Sequence, residues 1–201
     1  MLKKLLVSLL SALLCMTVAA KSRSNGNTEQ NNPDNNSITI DKNGDVFVSP
    51  LWFHISDEGT TEVIWKRSYK DMESVVIPSE IKIAGLVYPV TSIGTNAFSY
   101  CYSLKSINIP SSVTSIGKSA FRGCSGLTNI EIPSSVTNIG NEAFDGCSGL
   151  RIVKISSSVT SIGEDAFYGC GNLDIIIDNS EKNVSVGKDA FEGCKSVKFL
   201  K

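Results

Sequence analysis

The residues with most chemical potential in this chain are five cysteines, Cys101, Cys124, Cys147, Cys170 and Cys194, separated by three intervals of 23 residues and one of 24. Thiols so placed raise the question of a disulfide set or a zinc site. If the interval reflects stacked coils, equivalent residues lie about 4.8 Å apart with parallel side-chain vectors. A disulfide needs converging Cβ atoms about 3.5–4.5 Å apart, and five is an odd number. A line of thiols cannot surround a tetrahedral ion either. Each cysteine therefore reads as a small buried packing residue with a free thiol.

Other chemistry is sparse. The single histidine, His54, has no flanking nucleophile or acid motif that would make a triad, and reads as a packing or surface residue. No phosphate loop, dinucleotide fingerprint or calcium loop is present. The adjacent Glu164 and Asp165 follow Gly163 and read as favourable charge at the start of a helical turn. The expectation is a non-enzyme with no cofactor and no metal. Net charge is −1; no basic patch points to nucleic acid and no acidic run to a charged tail.

The element that must position the cysteines is a repeated phrase. Val90, Ile93, Gly94, Ala97, Phe98 and Cys101 return as Val113, Ile116, Gly117, Ala120, Phe121 and Cys124, and again from Val136 and Val159. A fifth copy ends at Ala190, Phe191 and Cys194. A period of this length marks one short unit stacked on copies of itself. Within one coil, Leu104, Ile107 and Ile109 end in the alternation of a half-buried strand. Pro110 closes that strand, where a missing N–H is harmless. Val113 and Ile116 point inward from a second extended piece, and Gly117 permits a sharp bend. Residues 118–124 read as one helical turn presenting Ala120, Phe121 and Cys124 to the core. No coil could bury its apolar groups alone.

Upstream, Lys3 and Lys4 precede a mostly apolar stretch, and Val18, Ala19 and Ala20 offer small residues before Lys21. Residues 1–20 read as a secretory signal peptide. The apolar stretch is shorter than the about 20 residues that span a bilayer, so no stable membrane span is expected after cleavage. A retained anchor or a lipid on Cys15 are the alternatives. Residues 21–37 carry no large apolar side chain and read as a flexible linker. Residues 38–89 read as an N-terminal β cap and partial repeat. Residues 38–40, 46–48 and 62–65 are strand candidates, with a turn at 41–44. Val75, Ile77 and Pro78 form a degenerate first strand, and residues 85–89 part of a small hairpin. Trp52, Phe53 and Trp65 are expected to cover the first apolar layer, the alternative being an aromatic binding platform. Residues 90–201 are the repeat solenoid.

The pattern of Leu, Ile, Ile, Pro, Ser, Ser, Val, Thr, Ser, Ile, Gly, Ala, Phe, Gly and Cys, several times over from Val75 to Lys201, resembles the BspA-like leucine-rich repeats. The resemblance implies a leucine-rich repeat (LRR) solenoid, with short strands on one face and short helical turns. It further implies a bacterial secreted or cell-surface protein of the kind implicated in adhesion to host matrix proteins or other cells. It carries no shared catalytic or ligand-binding residues. Ser156 in place of the turn proline and Asp178 at an expected apolar position depart from the pattern.

The outward strand positions are the candidate partner-binding residues: Ser106 and Asn108, Asn129 and Glu131, Ile152 and Lys154, Ile175 and Ile177. In register, Glu131 would lie about 4.8 Å from Lys154, an exposed cross-strand pair. The three isoleucines would make an exposed apolar patch that marks a protein partner, unless the C-terminal segment covers it or the register slips near Asp178. Five strands give a face of roughly 400 Å², half of the about 800 Å² a stable interface buries per partner. The expected function is secreted or surface protein recognition or adhesion, strengthened by many copies; the alternative is a structural or self-assembling envelope component.

Overall fold

The computed structural model describes residues 28–31, 37–41, 43 and 45–201. The expected signal peptide lies outside the described residues, as does most of the expected linker. The chain divides into two compact units, one of residues up to Val63 with Glu80–Val90, the other of Ile64–Ser79 with Thr91–Lys201.

In the first unit, strands Thr28–Asn31, Ser37–Ile40, Val46–Val48, Leu51–Ile55 and Thr61–Val63 pair antiparallel in chain order. Alternation puts Val46, Leu51, Phe53 and Val63 inside. The turn between the second and third strands is tied by Asp41 Oδ1, which accepts from the backbone N–H of Asn43 (2.8 Å) and Asp45 (3.1 Å). Thr28–Asn31 falls within the stretch expected as a linker. It is a polar strand that satisfies its backbone by pairing, a requirement independent of apolar side chains. Glu80–Ile83 and the start of Leu86–Ile93 form the expected hairpin, turned by Ala84 (φ 50°) and Gly85 (φ 79°), the left-handed pair that matches strand twist.

The second unit is the solenoid. Each coil buries the same set; for the coil of residues 104–124 it is Leu104, Ile107, Ile109, Val113, Ile116, Ala120, Phe121 and Cys124. The phenylalanines stack from Phe98 to Phe167 with ring centroids 5.0–5.5 Å apart and planes within 9°. Tyr69, on the 3₁₀ turn Arg67–Asp71, occupies the slot above Phe98 at 5.3 Å and is buried. Trp65 does not serve as the expected cover: it is 44% exposed.

Two expectations about the coil are corrected. First, the continuous ladder is the second extended piece. Ser92 and Ile93, Ser115–Ile116, Asn138–Ile139, Ser161–Ile162 and Ser185–Val186 pair parallel and in register. The other face is broken into Ser74–Val76 with Ser106–Asn108, and Ile152–Ile155 with Asp174–Ile177 and Ser196–Phe199. Between them residues 128–132 form no strand, and Thr128 N–H reaches Lys105 O at a long 3.4 Å. Second, residues 118–124 are not helical. Ser119 (φ 53°) and Gly123 (φ 69°) are left-handed, which interrupts any helix. Alternate amides then bond inside the turn, as Ala120 to Gly117 O and Arg122 to Ser119 O. The others cross to the next coil, as Ser119 to Asn141 O and Phe121 to Ala143 O. A helix would have spent all its amides within itself; this turn also stitches the stack.

Gly117 also has a different role from a bend. A Cβ there would lie 2.9 Å from Gly94 C and Ile93 O, so the residue is glycine because neighbouring coils touch backbone to backbone.

Candidate protein interface

Six of the eight expected strand-face residues, Ser106, Asn108, Asn129, Glu131, Ile152 and Lys154, are exposed. Ile175 and Ile177 are not: they are 1% and 0% exposed and pair across the sheet with the buried Val153 and Ile155. The cause is a one-residue shortening. Leu150 precedes its first inward strand residue, Val153, by three positions, whereas Leu173 precedes Ile175 by two. A shift of one residue turns every side chain of a strand to the other face. The outward residues of that coil are Asp174 and Ile176, which sequence reading missed. The short Leu173–Ile175 step, with Asp178 falling outward, was the available signal.

Two outward rows result. Ile152, Asp174 and Ser196 are neighbours in one; Lys154, Ile176 and Lys198 are neighbours in the other. Asp174 accepts from Lys195 Nζ (2.7 Å) and Ser196 Oγ (2.6 Å), and these hydrogen bonds hold its carboxyl below the usual range. Lys201 pairs with Asp178 at 2.9 Å and Lys105 with Glu73 at 2.8 Å. Glu131 and Lys154 do not form the expected ion pair. Among the described residues, Arg151, Lys154 and Lys198 take part in none.

The turn side has the opposite character. Arg122 binds Glu142 Oε2 (2.5 Å) and Asp145 Oδ2 (3.0 Å), and Lys118 approaches Glu142 at 3.5 Å. Burial pushes the Asp145 carboxyl up, Arg122 opposes, and Glu142 and Asp165 add to the rise. Asp165 is itself left-handed (φ 54°). The expected helix-terminus role of Glu164 and Asp165 therefore falls with the helix.

The five thiols of the repeats are free, four of them buried and Cys194 half-buried. They do more than fill space. Cys124, Cys147 and Cys170 donate Sγ–H to the carbonyls of Phe98, Phe121 and Phe144 in the preceding coil, at 3.1, 3.0 and 3.1 Å. Burial pushes Cys124 and Cys170 up to about 12 and Cys147 well above its ordinary value, so none is a nucleophile. His54 is a half-exposed surface residue with Nδ1 3.2 Å from Asp45 Oδ1. Among the described residues, no cluster of three or more His, Cys, Asp or Glu could hold a metal ion, and no helix is long and apolar enough to cross a membrane.

Parallel coils of about 23 residues, one inward set repeated in each and short strands on one face define a leucine-rich repeat solenoid, a non-catalytic scaffold for protein interaction. Residues 67–198 match the BspA type leucine rich repeat region in six copies, and the chain belongs to that family. Among solved structures it is similar to a leucine-rich repeat protein of T. pallidum, with 32% identity, TM-score 0.63 and coverage of 73% of this chain and 67% of that one. It is similar also to one from Bacteroides ovatus, with 34% identity, TM-score 0.67 and coverage of 76% and 40%. A third, from Bacteroides capillosus, is 26% identical with TM-score 0.56 and coverage of 78% and 99%. The chain thus spans two fifths of the B. ovatus protein and two thirds of the T. pallidum one. No curated protein matches it.

Proposed function

We propose that this chain is a secreted or cell-surface recognition module that binds a protein of the host matrix or of a cell surface through its strand face. Residues 1–20 act as the export signal, and the folded part begins at the strand Thr28–Asn31, within the stretch expected as a linker. One observation carries the reading: the inward residues are nearly the same in every coil while the outward ones change, from Ser106 and Asn108 to Asn129 and Glu131, Ile152 and Lys154, then Asp174 and Ile176. A fold needs the inward set and leaves the outward set free, so the outward residues can be fitted to a partner at little cost in stability. The face is small, so single-site binding is weak and many copies on one surface supply the strength.

The test is adhesion of beads displaying the full chain to a panel of extracellular-matrix proteins and cell surfaces, with an Ile152→Asp, Ile176→Asp variant beside it. Binding lost in the variant supports the reading. Equal binding moves the site off the strand face, and no binding to any member leaves a structural envelope role as the better account.

A further inference from the structure

We propose that the last coils of the strand face take an extended acidic segment of a partner protein, whose carboxylates lie on Arg151, Lys154 and Lys198 and whose apolar side chains rest on Ile152 and Ile176. This deepens the reading above and depends on the strand face being the recognition surface.

Lys154, Ile176 and Lys198 are direct neighbours on three parallel strands, so two ammonium stems are rooted about 10 Å apart with an isoleucine between them. Ile152, 44% exposed, heads the adjoining row. The anions of these strands are already engaged, Asp174 by Lys195 and Ser196 and Asp178 by Lys201. Arg151, Lys154 and Lys198 are exposed and pair with nothing, and the nearest free carboxylate in their rows is Glu131, one coil before Lys154. The earlier coils carry no cation in either row: Ser74, Val76, Ser106, Asn108, Asn129 and Glu131 stand there. Within the two rows the cations, Lys154 and Lys198, therefore belong to the last coils alone; Arg151 lies one place before Ile152, and its counterpart in an earlier coil, Lys105, is engaged by Glu73.

The mixture selects the occupant. A sulfated glycan or a nucleic acid would use the cations and leave two isoleucines against water. A purely apolar segment would leave three cations without partners. An extended peptide places every second side chain on one face, roughly 7 Å apart, and so can set carboxylates and apolar groups on these alternating positions together. Electrostatic complementarity of this kind directs partner choice and weakens with salt.

The probe is a bead carrying many copies of the peptide Gly-Asp-Ser-Ile-Ser-Asp-Gly, which sets Asp, Ile and Asp on one face, beside beads with lysine for aspartate, with glycine for isoleucine, and with heparin. The full chain is expected on the first bead and at least about tenfold less on the other three, with retention falling between about 0.05 and 0.5 M salt. Lys154→Glu with Lys198→Glu should lower retention at least about tenfold, and Glu131→Gln should raise it roughly twofold. Lys182→Glu, on the 3₁₀ turn Glu181–Asn183, should leave it unchanged. Equal retention on heparin beads, or indifference to the double charge reversal, overturns the proposal. The same charge-reversed chain is also run on the matrix panel. Binding there that needs Ile152 but neither lysine keeps the strand face and removes the acidic partner; binding that needs none of the three removes both.

Discussion

Alkali should unfold this protein through its buried thiols. Cys124, Cys147 and Cys170 are fully buried and donate to carbonyl oxygens of the preceding coil, so a thiolate would lose its water and face an oxygen. The folded chain accordingly keeps the Cys124 and Cys170 protons to about pH 12 and holds that of Cys147 well above its ordinary value, whereas an unfolded chain releases them near 9.0. With the folded value raised, the stabilisation is whole below the unfolded value and drains away as pH climbs from there toward the folded one. Between pH 8 and 10 Cys124 and Cys170 each remove about 1.4 kcal/mol, together about 3 kcal/mol, and Cys147 adds to the loss in the same direction. That is a large share of a typical domain's about 5–15 kcal/mol. The assay is the urea midpoint at pH 8, 9 and 10 under reductant, for the parent chain and for Cys124→Ala. Lysine and tyrosine titrations are common to both and cancel in the comparison. The variant should lose about 1.4 kcal/mol less than the parent over the interval. Equal losses, or alkylation of Cys124 in the folded protein at the rate of a free thiol, would refute the reasoning.

Two further expectations concern the stack itself. Gly140→Ala should cost about 3 kcal/mol or more, because its Cβ would lie 2.7 Å from Gly117 C and Lys118 N and only backbone could yield. Gly146→Ala, left-handed at φ 69° with clear space to 3.8 Å, should cost only about 1–2 kcal/mol; a reversed order in thermal melts would remove the steric account. Phe144→Ala should cost about 3–5 kcal/mol by urea titration, since its ring is fully buried between Phe121 and Phe167. A loss under about 1 kcal/mol would mean the ring column contributes little.

The solenoid was legible because its core repeats in sequence: Val, Ile, Ala, Phe and Cys recur at one interval, and all of them face inward through the central coils. What the period could not convey was backbone detail. Residues 118–124 have an apolar spacing that suits a helical turn as well as a chain of tight turns; only Ser119 and Gly123 going left-handed decides, and a serine does not announce that conformation. The glycines of the Val-Thr-Ser-Ile-Gly phrase carried a signal for closeness, yet bends and backbone contacts both call for glycine. Tyr69 escaped notice because it lies three residues nearer its strand than Phe98 does, with Tyr69 six before Val75 and Phe98 nine before Ile107. On the candidate face, six positions followed from counting along intact coils, and the last two failed where one residue is missing.

That missing residue shows how the family architecture separates stability from recognition. Inter-coil hydrogen bonds run through backbone amides, such as Thr114 to Thr91 O, Thr137 to Thr114 O and Thr160 to Thr137 O, and the apolar load is carried by inward side chains. Changes at exposed strand positions therefore stay within about 0.5 kcal/mol, and they are free to diversify. Substitution is one route to a new surface. Shortening the approach to a strand is another: with Leu173 held in its slot, loss of one residue turned Ile175 and Ile177 inward, where they fill the core as well as Val153 and Ile155 do, and presented Asp174 and Ile176 instead. A strand apolar at three consecutive positions, 175–177, tolerates either register, so the core accepts the slip while the exposed chemistry changes completely.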